Sequence, residues 1–240
     1  MLESTEAVIL AGGQGTRLAP VLPQGWPKTL APILGTPFLG HLLDDLYRRG
    51  LRRVTLCLGH GAAHVEEFLA QYPCPTDLSI QVTVEPTPAG TAGALREALA
   101  RVRSDPFLAL NGDTYSDIDL EELMASHLRL GAAVSIALAP VADVSGYGQI
   151  EVSADGRITQ FGEKGPARGR GLANAGTYAI NRAVIAGLSP ASRLSWERDV
   201  LPSQAALYGF TCCRWFVDIG TPESLRRAAE TIAQHAESAR

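Results

Sequence analysis

Long hydrophobic runs are missing from this sequence. Its longest apolar stretches, Ala7–Ala11 and Ala132–Val141, fall well short of the roughly 20 residues a membrane-spanning helix needs. The opening MLESTEAVIL has no basic segment ahead of its apolar run, so no secretory signal is expected there. Cysteine is sparse. Cys57, Cys74 and the adjacent Cys212 and Cys213 make no CxxC spacing, and strand neighbours point to opposite faces, which supports neither a zinc site nor a disulfide framework. A basic excess is absent too: 21 Lys and Arg against 25 Asp and Glu leave a net charge of −4, which argues against duplex nucleic acid as a partner. No internal repeat occurs, and no hexapeptide series that would signal a second, fused activity. The 240 residues, 46% hydrophobic and 19% charged, describe a cytoplasmic globular protein with reduced thiols and a substantial core. Such a chain has no membrane partner and is compatible with a homo-oligomer.

The first half alternates short apolar runs with amphipathic stretches. Strands are expected at Glu6–Ala11, Arg53–Leu58, Leu78–Val84 and Phe107–Leu110, and helices at Pro37–Arg49, Ala62–Gln71 and Thr91–Val102. That alternation implies α/β class, with a mostly parallel sheet flanked by helices. After Gly131 the texture changes. Val134–Pro140, Gln149–Ser153, Arg157–Phe161 and Ala173–Ile180 are strand-like, Asp155-Gly156 reads as a hairpin turn, and a Gly/Arg-rich loop spans Gly165–Gly171. The expectation is one domain over 1–240, its nucleotide-type half at 1–131 and a smaller α+β lobe with a C-terminal helix near Pro222–Ala236 at 132–240.

Three constellations carry chemistry. Leu10-Ala11-Gly12-Gly13-Gln14-Gly15-Thr16-Arg17 follows the first strand. Its glycines let backbone N–H groups approach an anion, and Arg17 adds a fork of charge-assisted donors. Lys28, in a Pro-flanked loop, can return an ammonium to the same phosphates. A Walker A loop is excluded because Thr16-Arg17 stands where Lys-Ser/Thr is required. A Rossmann loop is excluded because Pro20, Pro23 and Pro27 forbid the helix that should follow. The second constellation is Asn111-Gly112-Asp113 at a strand's carboxyl end, where ligands of open α/β sheets gather and where Asp113 can ligate Mg²⁺. Asp117 and Asp119 imitate a glycosyltransferase DxD pair, but Asp119 with Glu122 makes a helix capping box. The third is Trp215–Pro222, in which Thr221 is the better cap for the following helix and Asp218 is left as a second metal ligand. Weaker elements are the turn from Glu85 to Thr91, with Gly90 able to admit a flat nucleobase, and Tyr147-Gly148, Glu163-Lys164 and Asn174-Ala175-Gly176, which could serve sugar hydroxyls and a phosphate.

In this order the segments LAGGQGTRL, PKTLAPI, EPTPAGTAGAL, LNGDTY, YGQIE, FGEKG, NAGTYAIN and WFVDIGTPE resemble the sugar-1-phosphate nucleotidyltransferase family over nearly the whole chain. The resemblance implies a Rossmann-like, GT-A-like fold with a sugar-binding lobe. It implies nucleotide contacts at Leu10, Ala11, Gly12, Gly13, Gly15, Thr16, Arg17, Glu85, Gly90, Thr91 and Asn111. It also implies Mg²⁺ on Asp113 and Asp218, sugar-phosphate contacts at Tyr147, Gly148, Glu163, Lys164, Asn174 and Gly176, and catalytic roles for Arg17, Lys28 and Asp113. The segments PKTLAPILGTPFL, GTAGAL and LSWERDVLP look most like the D-glycero-α-D-manno-heptose 1-phosphate guanylyltransferases. The loop from Arg17 to Lys28 departs from that pattern by about one residue, with Gln24-Gly25-Trp26 as the insertion. Glu85 stands where thymidylyl and uridylyl members often carry Gln, which favours guanine, since a carboxylate accepts from N1–H and the exocyclic amine. The implied partners are a nucleoside triphosphate and a sugar 1-phosphate. The alternatives are a thymidylyl-, uridylyl- or cytidylyltransferase acting on a hexose 1-phosphate, an NDP-sugar-dependent glycosyltransferase, or a non-catalytic nucleotide sensor.

Overall fold

A computed structural model of the chain describes residues 2–85, 87–147, 149–162, 169–189 and 193–238. Among these, no helix is long and apolar enough to cross a membrane. Most of the loop expected at 165–171 lies outside the described residues.

The first half follows the periodicity closely: β1 (Glu6–Leu10), β2 (Pro32–Ile33), β3 (Thr36–Pro37), α1 (Phe38–Arg48), β4 (Arg53–Leu58), α2 (Ala62–Gln71), β5 (Ser79–Val84), α3 (Gly90–Ala98) and β6 (Phe107–Asn111). The region rich in prolines after β1 forms only a short 3₁₀ turn, Ala19–Val21, as proline chemistry requires. Helix α3 stops at Ala98, four residues before the expected end. Beyond it the Leu99 and Val102 carbonyls are taken by the Arg182 guanidinium.

Next come β7 (Thr114–Ile118), α4 (Leu120–Leu130), β8 (Val134–Val141), β9 (Ile150–Val152), β10 (Ile158–Phe161), β11 (Gly171–Ile180), α5 (Arg182–Ala186), β12 (Leu207–Phe210), β13 (Cys213–Asp218) and α6 (Pro222–Ser238). Asp119 caps α4 as its spacing predicts, its carboxylate accepting the Glu122 N–H at 2.9 Å. β9 and β10 pair antiparallel around the turn at Asp155-Gly156.

The main sheet runs β10-β9-β11-β6-β1-β4-β5, with β8 and then β12 branching from β11. β6, β1, β4 and β5 are mutually parallel, while β11 is antiparallel to β6. The sheet is thus mixed, and β11 from the second half extends the sheet of the first. Alternation builds its two faces. Ala7, Ile9, Leu108 and Leu110 pack with Leu39 and Leu43 of α1 and Leu123 of α4. Val8, Phe107 and Ala109 face the other way, against Leu95 and Ala98 of α3, Ile185 of α5 and Trp196. Each fully buried Leu or Ile contributes about 1.5–3 kcal/mol, and a one-residue slip would expose a whole set. A third cluster docks α6, with Ala228 and Ile232 packed against Leu18, Phe38, Tyr115 and Ile219. All four thiols are free.

Candidate active site

Parallel strands put the carboxyl ends of β1, β4 and β6 on one edge, and the chemistry-bearing loops leave from there. The loop after β1 meets the loop after β4 backbone to backbone, with the His60 N–H donating to the Gly12 carbonyl at 3.4 Å. Lys28 starts a 3₁₀ turn whose next residues, Thr29 and Leu30, are buried, so its base is fixed. Its stem lies along Gly13 and Gly15, and its ammonium bonds to Oδ2 of Asp113. The other oxygen of Asp113 accepts the Thr114 hydroxyl at 3.3 Å.

Asp218 arrives from β13, which pairs with β7 so that Asp218 lies opposite Thr114. The Ile219 N–H donates to the Asp113 carbonyl at 3.0 Å and ties the two carboxylate-bearing segments together. Thr221 caps α6 as expected, accepting the Ser224 N–H at 3.1 Å. Asp218 is nevertheless partly engaged there: its Oδ1 accepts the Gly220 N–H at 2.8 Å and the Ser224 hydroxyl at 3.0 Å. The Arg17 guanidinium packs beside Gly220 and Asp218. Among the described residues no cluster of three or more His, Cys, Asp or Glu could hold a metal by itself. Two carboxylates fit a hard cation that takes its remaining ligands from phosphate oxygens and water, as Mg²⁺ does, and the ammonium on Asp113 shows that the spot favours positive charge.

Two cavities open on this edge. The first, about 620 Å³, is lined by Leu10, Gly12, Gly13, Lys28, Glu85 and Gly90, with Thr91 and Trp196 behind. Ala11 lies beneath the loop, buried, its N–H donated to the Cys57 carbonyl at 2.9 Å, and Thr16 lines neither cavity. Oε1 of Glu85 is buried and has no hydrogen-bond partner among the described residues. Burial first, and then the Glu97 charge, push the Glu85 carboxyl above its ordinary range. Gly90 has φ +79°, and a Cβ there would lie 2.3 Å from the Leu194 carbonyl oxygen. The backbone of the 194–196 segment therefore already demands glycine at this position of the cavity wall. That segment is laced to α3: Ala92 N–H donates to the Leu194 carbonyl at 3.0 Å, and Trp196 N–H donates to the Thr91 hydroxyl at 2.8 Å.

The second cavity, about 550 Å³, is lined by Arg17, Asp113, Tyr147, Asn174, Gly176 and Asp218. Tyr147 stacks edge-on against Phe216, ring centroids 5.0 Å apart. The Asn174 amide is spent inside the protein: Oδ1 accepts the Gly176 N–H at 2.9 Å, and Nδ2 donates to the Tyr178 hydroxyl at 2.7 Å and to Glu197 at 3.2 Å. Gly176, at φ +71°, leaves room for the Asn111 amide, which a Cβ would approach to 3.0 Å. Gly148, Glu163 and Lys164 lie outside the described residues. The cavities share Asn111, Asp113, Ser195 and Glu197. Tyr178, Ser195 and Glu197 escaped the reading of individual residues. The only hint was the LSWERDVLP segment, which by itself assigns no role.

A profile of the Nucleotidyl transferase family matches residues 6–235. The chain is 33% identical to a D-glycero-α-D-manno-heptose 1-phosphate guanylyltransferase of Aneurinibacillus thermoaerophilus, over 96% of this chain and 99% of that one. It is 32% identical to a mannose-1-phosphate guanylyltransferase of Mycobacterium tuberculosis over 95% of its own length, which spans 65% of that relative. The crystal structure of HddC from Yersinia pseudotuberculosis complexed with GMP-PN superposes with a TM-score of 0.84 at 32% identity, covering 95% of this chain and 99% of that one. The chain belongs to the nucleotidyl transferase family.

Proposed function

We propose that the protein is a sugar-1-phosphate guanylyltransferase, joining GMP from GTP to D-glycero-α-D-manno-heptose 1-phosphate with release of pyrophosphate in the cytoplasm. One observation carries this reading: two cavities of substrate size meet at Asp113, with Lys28 on that carboxylate and Asp218 tied alongside. The nucleotide takes the first cavity and the sugar phosphate the second, so the reacting phosphates come together at their junction.

The reaction is an in-line displacement. An oxygen of the sugar phosphate forms a bond to the α-phosphorus of GTP, the bond from that phosphorus to the bridging oxygen breaks, and its electron pair leaves with pyrophosphate. The nucleophile is already ionised near neutral pH, so no general base and no covalent enzyme intermediate are needed. Catalysis is positioning and charge neutralisation. Lys28 keeps an ammonium at the junction, Arg17 opposes charge on the departing pyrophosphate, and the backbone of the 12–15 loop donates to phosphate oxygens. Asp113 and Asp218 would hold Mg²⁺, which when bound neutralises phosphate charge there.

The test is a matrix of GTP, CTP, UTP, dTTP and ATP against heptose, mannose and glucose 1-phosphates, read by pyrophosphate release. The expected maximum is GTP with the heptose 1-phosphate. A maximum with dTTP or UTP overturns the guanine assignment, and pyrophosphate release from no pair overturns the activity.

A further inference from the structure

Glu197 stands in the wall common to both cavities. It rides on a π-helical turn, Trp196–Val200, a rare geometry that recurs at functional sites. The turn is pinned from several sides. The Ser195 hydroxyl accepts the Arg198 N–H at 3.3 Å, the Ser195 N–H donates to the Asp199 carboxylate at 2.7 Å, and Trp196 is anchored to Thr91.

Three side-chain donors converge on a single oxygen of Glu197. Oε1 accepts from the Tyr178 hydroxyl at 2.6 Å, from Asn174 Nδ2 at 3.2 Å and from Asn111 Nδ2 at 3.3 Å. Tyr178 is wholly buried, and burial, followed by the Glu197 charge beside it, drives its phenol far above the ordinary range; its proton is therefore committed to this bond. Among the described residues no Lys, Arg or His forms an ion pair with Glu197, and among those same residues all three bonds go to Oε1 and none to Oε2. The result is a rigid carboxylate with one saturated oxygen and one spare acceptor at the shared wall.

An acceptor-only group repels phosphate and seeks hydroxyl donors. Both substrates carry hydroxyls, on the ribose and on the transferred sugar. The donors that fix Glu197 favour the latter, because Asn174, beside Gly176 in the wall of the second cavity, and Tyr178 both come from β11. We propose that Oε2 of Glu197 accepts a hydrogen bond from a ring hydroxyl of the sugar 1-phosphate and makes Glu197 a sugar-specificity residue, with Tyr178, Asn174 and Asn111 as the network that positions it. This rests on the sugar 1-phosphate reading above.

The experiment is steady-state kinetics of the parent and Glu197→Gln with GTP and heptose 1-phosphate, followed by the 2-, 3- and 4-deoxy analogues of that sugar phosphate. The expected result is a sugar KM raised about 5- to 20-fold, as for a lost charge-assisted bond, with the KM for GTP and kcat within about threefold. One deoxy analogue should lose at least tenfold in kcat/KM with the parent, and that discrimination should shrink several-fold in the variant. Where Glu197→Gln does not fold, Tyr178→Phe supplies the reading: the same analogue should lose its penalty, with the KM for GTP unmoved. Unchanged discrimination among the analogues makes Glu197 a brace only and overturns the proposal. So does a change confined to the ratio of GTP to 2′-deoxy-GTP, which would assign the carboxylate to the ribose. A parent that releases no pyrophosphate with any pair refutes the underlying activity before any variant is made.

Discussion

Asp113 and Asp218 reach the same point by different routes, one at the end of a parallel core strand and the other on an antiparallel strand that pairs with β7. Each keeps part of its carboxylate in protein bonds: Asp113 to Lys28 and Thr114, Asp218 to Gly220 and Ser224. Replacing either by Asn preserves shape and removes charge. Asp113→Asn and Asp218→Asn are each expected to cut turnover by about 10²-fold or more at limiting Mg²⁺, with melting temperatures close to the parent's. Turnover within a few-fold of the parent would remove that residue from the metal site. Glu85 poses a different question, because its buried Oε1 lacks a partner among the described residues and an unmatched buried acceptor is costly. A guanine presenting N1–H and N2–H relieves that cost, whereas a thymine or uracil carbonyl aggravates it. Glu85→Gln is expected to cost GTP about 1–3 kcal/mol in kcat/KM and to leave dTTP unharmed or improved, since an amide can donate to a carbonyl. Measuring kcat/KM for both nucleotides in parent and variant decides it, and an unchanged ratio assigns base reading to the backbone alone.

At the scale of elements, the loops owe their positions to contacts far away in sequence. Gly90 is the clearest case, a left-handed residue at the start of α3 jammed against the Leu194 carbonyl. Gly131, at the end of α4, is also left-handed, φ +57°, but a Cβ there meets nothing within 4 Å. Gly131→Ala should therefore cost only the conformational penalty, about 1–2 kcal/mol. Gly90→Ala adds a backbone clash that must push the 194–196 segment away from α3. Thermal melting should show Gly90→Ala the more destabilised of the two, with a loss of turnover that Gly131→Ala does not share; equal shifts would mean the segment yields freely. The same distinction explains what the sequence made legible. β1, β4, β6 and α4 were readable because their signals are local: apolar runs, alternation and the Asp119–Glu122 cap. That Lys28 and Asp113 come together was partly legible, because a glycine-rich loop after one parallel strand and a carboxylate after another both belong at the carboxyl edge of the sheet. β7 was missed, because TYSDI is polar and becomes a strand only by pairing with β13, about a hundred residues on. Glu197 was missed for the same reason. Its contacts are with Asn111, Asn174 and Tyr178, which the fold assembles from β6 and β11.

Across the whole molecule, β11 binds the site to the distal frame, since it pairs with β6, β8 and β9 at once. Just past its end, Asn181 joins α4 and β8 through a buried histidine. His127 Nε2 bonds to Asn181 Oδ1 at 2.9 Å and Nδ1 to the Ser135 hydroxyl at 2.9 Å. The amide is oriented by its own donation to the Ala132 carbonyl at 2.9 Å, so Oδ1 can only accept. Nε2 must then carry the proton, and Nδ1 accepts from Ser135. Protonating Nδ1 would bury a charge and force the Ser135 hydroxyl to turn round. Accordingly burial lowers the His127 pKa, against smaller opposing effects of the Asn181 bond and the Asp105 charge. The sign of the linkage follows. The unfolded chain takes up a proton at this residue near pH 6.5 and the folded chain only at lower pH, so between those points the unfolded state holds more protons and stability falls as pH falls. The loss is bounded at about 1.4 kcal/mol per pH unit. His127→Gln removes the titration while keeping a polar side chain in the joint. The variant should be less stable than the parent at pH 7.5, and the gap between their melting temperatures should narrow steadily toward pH 5.5, because only the parent bears the growing cost of an uncharged histidine. Comparing the two proteins cancels the other histidines and the carboxylates. A gap that stays constant across that range would show that His127 titrates in the folded chain as it does in the unfolded one, and a gap that widens would reverse the sign derived from its burial.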